Sequence, residues 1–258
     1  MSPLEGVGVL VTRPAHQAAN LARLVKEAGG NAILFPALEI VEIADSAPLG
    51  ELIDRLEQFD LAVFVSPNAA EIGLKKVRAQ RPWPPALKVA AVGQGSAREL
   101  RRLGILEVLA PDEGNDSESL LALSQLRDVS GWRVVIFRGT GGRETLAEGL
   151  RQRGAQVAYA ECYRRQVPQR DTAPLLARWQ SGEIGAVTVT SGDSLRNLAA
   201  MFGAQTEVLV KRTPLFAAHP RIAALAEQLG WETVFSANHG DDGLVECLIE
   251  WRNREKQQ

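Results

Sequence analysis

What this chain lacks narrows its chemistry before any motif is read. Only two of its 258 residues are cysteine and three are histidine. Cys162 and Cys247 are too few for a disulfide framework, and no Cys-x-x-Cys or His-Glu-x-x-His spacing occurs, so no metal is expected. The charges nearly cancel, 29 basic against 31 acidic side chains for a net charge of −2. Such a balance offers no long-range field to gather nucleic acid or acidic lipid, and neither is expected as a partner. Long apolar runs are missing too. "VGVLVT" (7–12) is far too short to span a bilayer. No opening segment joins basic residues to a long apolar stretch, so no signal peptide is expected and the chain reads as cytoplasmic.

What is present is ordinary soluble composition, 45% hydrophobic and 23% charged, over a length that suits two domains. Short β-branched runs alternate with amphipathic helices. "GVLVT" (8–12) predicts a strand, and "AANLARLVKEAGG" (18–30) a helix with Leu21, Leu24 and Val25 on one face. "NAILFP" (31–36), "LAVFVS" (61–66) and "KVAAVG" (88–93) predict further strands, the latter two each followed by a helix. The second half repeats the pattern in "RVVIFRG" (133–139), "AQVAYAECY" (155–163), "AVTVT" (186–190) and "PLFAA" (214–218). Alternation of this kind implies α/β domains with parallel sheets.

The halves also match each other. Arg13 and Arg138 lie 125 residues apart, as do Gly29 and Gly154, and Ser66 and Ser191. Asn68 falls opposite Asp193, and Gly104 matches Gly230 after a slip of one residue. Steady offsets across four elements imply an internal duplication, with two similar domains as its product.

Several motifs admit a functional and a structural reading. "SGDSL" (191–195) imitates a Gly-Asp-Ser-Leu hydrolase, yet the duplicate of Ser194 is Ala69 and no Asp-x-x-His base pair follows, so Ser194 is not expected to be a nucleophile. "VGQGSARE" (92–99) has two glycines of a dinucleotide fingerprint but Arg98 at the third position. A tight turn presenting backbone N–H groups at a helix start fits it better, and such amides hold carboxylates or phosphates. "FRGTGGRETL" (137–146) follows the same logic, without the ending of a P-loop; Arg138 either reaches an anion there or pairs with Glu144. His16 fits a first helical turn, His239 a loop, and Asp241-Asp242 a cap on the last helix. Tyr163, one of two tyrosines, ends its predicted strand before a linker marked by Pro168. It either anchors a core or presents a phenol that donates a proton.

"VLVTRP" (9–14), "FPALEI" (35–40), "VFVSPNAAEIG" (63–73), "VAAVGQGSARELRRLG" (89–104), the long stretch 137–165 and "VTVTSGDSL" (187–195), in this order and spacing, resemble the uroporphyrinogen-III synthase family. The resemblance implies two βα domains with a deep active-site cleft and a chain that starts in one domain, builds the other and returns. One domain is then expected over 1–36 and 167–258, the second over 39–164, joined by a two-stranded tether of "FPALEI" and "ECYRRQVP". Duplication by itself would place the division near residue 125 instead.

The same resemblance implies closure of hydroxymethylbilane to uroporphyrinogen III, with inversion of the last pyrrole ring and loss of water, as a cofactor-independent lyase of tetrapyrrole and haem biosynthesis. It also implies a monomer, with transient contact with the upstream bilane-forming enzyme. Tyr163 matches the family's cleft tyrosine and is expected to assist the departing hydroxyl. The substrate is a polycarboxylate and the protein nearly neutral, so backbone amides at helix starts are expected to hold it. The substrate-binding candidates are Arg13, Ser66, Pro67, Asn68, Gly93, Ser96, Arg138, Gly139, Thr190, Ser191, Gly192 and His219. His219 belongs to "HPRIA" (219–223), which departs from the family's usual glycine and hydroxyl turn; there His219 and Arg221 are expected to substitute charge. The alternative is a non-catalytic two-domain binding protein for an anionic small molecule.

Overall fold

A computed structural model describes residues 2–43, 47–202, 204–237 and 240–256, without the side chains of 204–207. In chain order the elements are β1 (Gly8–Val11), α1 (Ala19–Glu27), β2 (Asn31–Leu34), β3 (Glu39–Glu42), α2 (Ala47–Asp54), β4 (Leu61–Phe64), α3 (Pro67–Gln80), β5 (Lys88–Ala91), α4 (Gln94–Arg102) and α5 (Ser117–Leu121). There follow β6 (Arg133–Gly139), α6 (Thr145–Gln152), β7 (Gln156–Gln166), α7 (Ala173–Gln180), β8 (Ala186–Val189), α8 (Gly192–Met201), α9 (Ala204–Arg212), β9 (Leu215–Ala217), α10 (Pro220–Gln228), β10 (Val234–Ser236) and α11 (Gly240–Glu255).

The chain divides into two compact units, residues 1–39 with 166–258, and residues 40–165. The first carries a five-stranded sheet in the order β10-β9-β8-β1-β2, with parallel neighbours throughout. Its central strands are apolar on both faces, as parallel strands covered by helices on each side require. Leu10, Ile33, Val187 and Val189 face α7, α8 and α10. Val9, Val11, Ala186 and Phe216 face α1 and α11. Thr12 and Thr188 are buried polar exceptions that satisfy each other's strands: Thr12 Oγ1 donates to the Thr188 carbonyl at 2.8 Å, and Thr188 Oγ1 to Leu10 at 2.9 Å.

The second unit carries the order β3-β7-β6-β4-β5. Ala62, Phe64, Val135 and Phe137 pack on α2, α3 and α4, while Leu61, Val63, Val134 and Ile136 pack on α5 and α6. Elements 125 to 127 residues apart occupy equivalent places. β1 and β6, β2 and β7, β4 and β8, and β5 and β9 hold matching positions in their sheets. Each unit thus combines the leading elements of one half with the trailing elements of the other. β3 lies beside β7, where Ile43 N–H donates to Cys162 and Gln166 bonds Glu39.

β4, β5, β8 and β9 end a residue or two before the predicted strands do, because the chain turns there into the helix caps Ser66, Gly93, Ser191 and His219 rather than continuing the ladder. β7 does the opposite and runs on to Gln166, so Tyr163 lies within a strand and not at its end. A register shift between Arg138 and Gly139 puts Gly139 opposite Tyr163, a bulge that re-aims the tyrosine. Asp241 and Asp242 lie inside the first turn of α11 instead of capping it. His239 falls outside the described residues.

Candidate active site

The candidate residues gather at the carboxyl ends of strands, where open parallel sheets place their ligand-binding turns. In the unit 40–165, β4 runs into Ser66, the N-cap of α3, whose Oγ accepts the Ala69 N–H at 3.1 Å. Pro67 opens that helix, its fixed φ suiting the first turn, and Asn68 follows half-buried. β5 runs into Gly93, the N-cap of α4, and Ser96 is buried in the first turn. A Cβ on Gly93 would meet Asn115 Oδ1 at 2.2 Å, so the side chain is absent because Asn115 fills its place.

Tyr163 is 1% exposed. Its hydroxyl is 2.9 Å from Ser66 Oγ. The ring lies flat on Gly139, where a Cβ would come within 2.6 Å of it, and the Tyr163 carbonyl accepts the Thr140 N–H at 2.8 Å. A guanidinium, that of Arg165, sits 6.0 Å from the ring centre. The phenol is therefore immobilised on every side except the one it shares with Ser66.

Arg138 is 5% exposed, and of the two readings of it the structure has the pair with Glu144, at 2.9 Å. Its guanidinium also donates to the Gly139 and Gly141 carbonyls and stacks 4.6 Å over Tyr159. Arg138 therefore shapes the Gly139–Arg143 turn from below and presents no free charge to an anion. Hydrogen bonds from Tyr159 and then Arg138 hold the Glu144 carboxyl below its ordinary range. Burial first, then Glu144, pushes the Tyr159 phenol up. Burial also pushes the Cys162 thiol up to about 12, which leaves it an inert core group.

In the other unit, Arg13 forms an ion pair with Asp241 at 2.5 Å, and Asp241 also accepts from Asn20. This charge, like that of Arg138, is paired with a carboxylate. β8 leads through half-buried Thr190 to Ser191, the N-cap of α8, whose Oγ accepts the Ser194 N–H at 3.1 Å and donates to Ser194 Oγ at 2.8 Å. Ser194 is 1% exposed, and its hydroxyl and amide are both bonded to Ser191 Oγ. β9 leads to His219, the N-cap of α10, whose Nδ1 accepts the Arg221 N–H. Ser191, Gly192, Arg196 and Arg221 line a hollow of about 510 Å³ between α8 and α10. Arg196, bonded to Asp193, was not singled out by sequence; its place on α8 one turn past Gly192 was the available signal.

A larger hollow of about 950 Å³ lies at the opposite strand ends of the unit 40–165, lined by Trp83, Leu106 and Trp132. It holds none of the candidate residues. Among the described residues no cluster of His, Cys, Asp or Glu could hold a metal, and no helix is long and apolar enough to cross a membrane.

Residues 19–246 match the family model described as uroporphyrinogen-III synthase HemD. The uroporphyrinogen-III synthases of Salmonella typhimurium and Escherichia coli are each 32% identical over 94% of this chain and 100% of their own length. In fold, a mutant uroporphyrinogen III synthase from Thermus thermophilus is similar with a TM-score of 0.66 at 18% identity, over 98% of this chain and 100% of its own. The Helicobacter pylori uroporphyrinogen-III synthetase is similar at 0.59 and 12% identity, over 95% and 99%.

Proposed function

This chain belongs to the uroporphyrinogen-III synthase family, and from that membership we propose how its residues carry the reaction. The activity is closure of hydroxymethylbilane to uroporphyrinogen III with inversion of the terminal ring and loss of water. The match over residues 19–246, with relatives aligned along their whole length, carries this reading. Nothing in those relatives favours a non-catalytic clamp.

The substrate's carboxylates are held by helix starts, with Ser66–Asn68, Gly93–Ser96, Gly139–Arg143 and Thr190–Gly192 as the binding turns. Amides and helix dipoles suffice for this without net positive charge. Arg196 and Arg221 add local charge beside Ser191, and His219 contributes as a cap that orders the α10 turn. Arg13 and Arg138 act through the elements they brace.

Closure without inversion is the simpler reaction, and the protein's task is to fold a flexible chain so that the harder closure wins. Positioning can supply that preference. Loss of the hydroxyl is assisted by Tyr163, whose phenol hydrogen-bonds Ser66 Oγ at 2.9 Å. The resulting azafulvene is attacked at the substituted carbon of the last ring, and the spiro intermediate fragments and recloses. No step calls for a redox or metal group.

The test supplies freshly made hydroxymethylbilane, oxidises the products and separates the porphyrin isomers. Predominantly isomer III in proportion to protein is expected. Isomer I at the protein-free rate would reject the reading.

A further inference from the structure

We propose that Ser66 and Tyr163 form a two-oxygen proton relay in which Ser66, not Tyr163, hands the proton to the departing hydroxyl. This rests on the synthase reading above and assigns its acid step to a different atom. Tyr163 is 1% exposed, with its ring fixed on Gly139 and its carbonyl tied to Thr140, so its oxygen has no open side toward a substrate. Ser66 is half-buried and lies 2.9 Å from that oxygen.

The hydrogen-bonding capacity of Ser66 allows a directional relay. A serine hydroxyl has two acceptor positions and one proton to donate. One acceptor position takes the Ala69 N–H at 3.1 Å. Either oxygen of the Ser66–Tyr163 pair can donate; in the relay Tyr163 donates to the second acceptor position, which leaves the Ser66 proton for the substrate. Both oxygens lie at the amino end of α3, a 14-residue helix whose dipole favours negative charge there.

In the step itself, the C–O bond of the hydroxymethyl group breaks and its electron pair leaves with oxygen. The Ser66 proton moves to that oxygen and water departs. The Tyr163 proton moves to Ser66 Oγ, leaving a phenolate, while the pyrrole nitrogen lone pair takes up the positive charge as azafulvenium. When the closed ring regains aromaticity, the proton lost from carbon returns along the same two oxygens. No outside acid, base or oxidant is required.

Ser66→Gly removes the hydroxyl while retaining a residue tolerated at an N-cap, and Ser66→Thr retains both hydroxyl and cap. The relay predicts that Ser66→Gly and Tyr163→Phe each lower kcat by about 10²-fold, with KM little changed. The double variant should be no slower than the slower single one, and Ser66→Thr should recover most of the rate. Where chemistry limits turnover, kcat against deuterium fraction should curve for the wild type, since two protons move together. Near-wild-type kcat in well-folded Ser66→Gly, losses that multiply in the double variant, or no recovery by Ser66→Thr would overturn the relay. These outcomes leave isomer III as the wild-type product, whereas failure of the functional reading would show as isomer I from the wild type.

Discussion

In the unit 40–165, Phe64 and Phe137 stack at 4.5 Å between β4 and β6. The positions 125 residues away are Val189 and Thr12, and there the seam between β8 and β1 is closed by the Thr12 and Thr188 hydrogen bonds. The two sheets, alike in strand order, hold an aromatic stack in one unit and a polar clasp in the other. The same divergence reaches the turns. Ser66 and Ser191 cap equivalent helices through the same amide three residues on, yet Ser66 shares its oxygen with Tyr163 and Ser191 with Ser194. Gly93 caps α4 where His219 caps α10. Leu38, a buried apolar residue, stands 125 positions before Tyr163. Both units offer helix starts suited to anions, and only one adds a phenol. On the proposed reading, helix starts of both units bind carboxylates and the proton chemistry falls to the unit with the phenol.

The largest expected effect breaks that asymmetry directly. Tyr163→Phe should lower kcat by roughly 10- to 1000-fold with an unchanged melting temperature, measured by isomer-resolved turnover. Unchanged turnover in folded protein would remove Tyr163 from the chemistry. Gly139→Ala should come next, since its Cβ would displace the Tyr163 ring. Overpacking of this kind costs about 1–3 kcal/mol, and kcat should fall with it while the equivalent face of the other unit is untouched.

The two arginines sharpen the comparison. Arg13→Ala strands Asp241, whose side chain is only 10% exposed, and should cost about 1–3 kcal/mol in denaturant unfolding with a smaller change in KM. Arg138→Ala leaves the half-exposed Glu144 free to solvate, so its main effect should be a looser Gly139–Arg143 turn and a raised KM. A larger stability loss at Arg138 than at Arg13 would reverse this assignment.

The smallest effect is a pH dependence at the Gly139–Arg143 turn. The Glu144 carboxyl is held low by Tyr159 and Arg138, so its contribution is present above the ordinary carboxylate range and is lost as pH falls through its lowered value. Amide exchange at Gly141 and Gly142 should quicken over that acid interval and lose this dependence in Glu144→Gln. An identical profile in the variant would contradict it.

The fold was largely legible because parallel strands buried on both faces leave short continuous apolar runs, as in "RVVIFRG", which is β6 residue for residue. The caps were legible where a hydroxyl or Pro follows such a run, as at Ser66-Pro67 and Ser191. The bulge at Gly139 was not, because it lies in the pairing of β6 with β7, where Gly139 meets a residue 24 positions later. Arg13 and Arg138 read as anion ligands since a guanidinium after a strand carries no local sign of its partner. Asp241 is 228 residues from Arg13, beyond any local pattern. Glu144 was within reach, six residues from Arg138, and the pairing stood beside the anion reading from the start.

The most direct test of the division between binding and proton chemistry is kcat and KM, measured side by side, for the matched caps Ser66→Gly and Ser191→Gly. The division predicts a fall in kcat for Ser66→Gly alone and a rise in KM with kcat retained for Ser191→Gly. Equal losses of kcat in both, or a loss confined to Ser191→Gly, would contradict it.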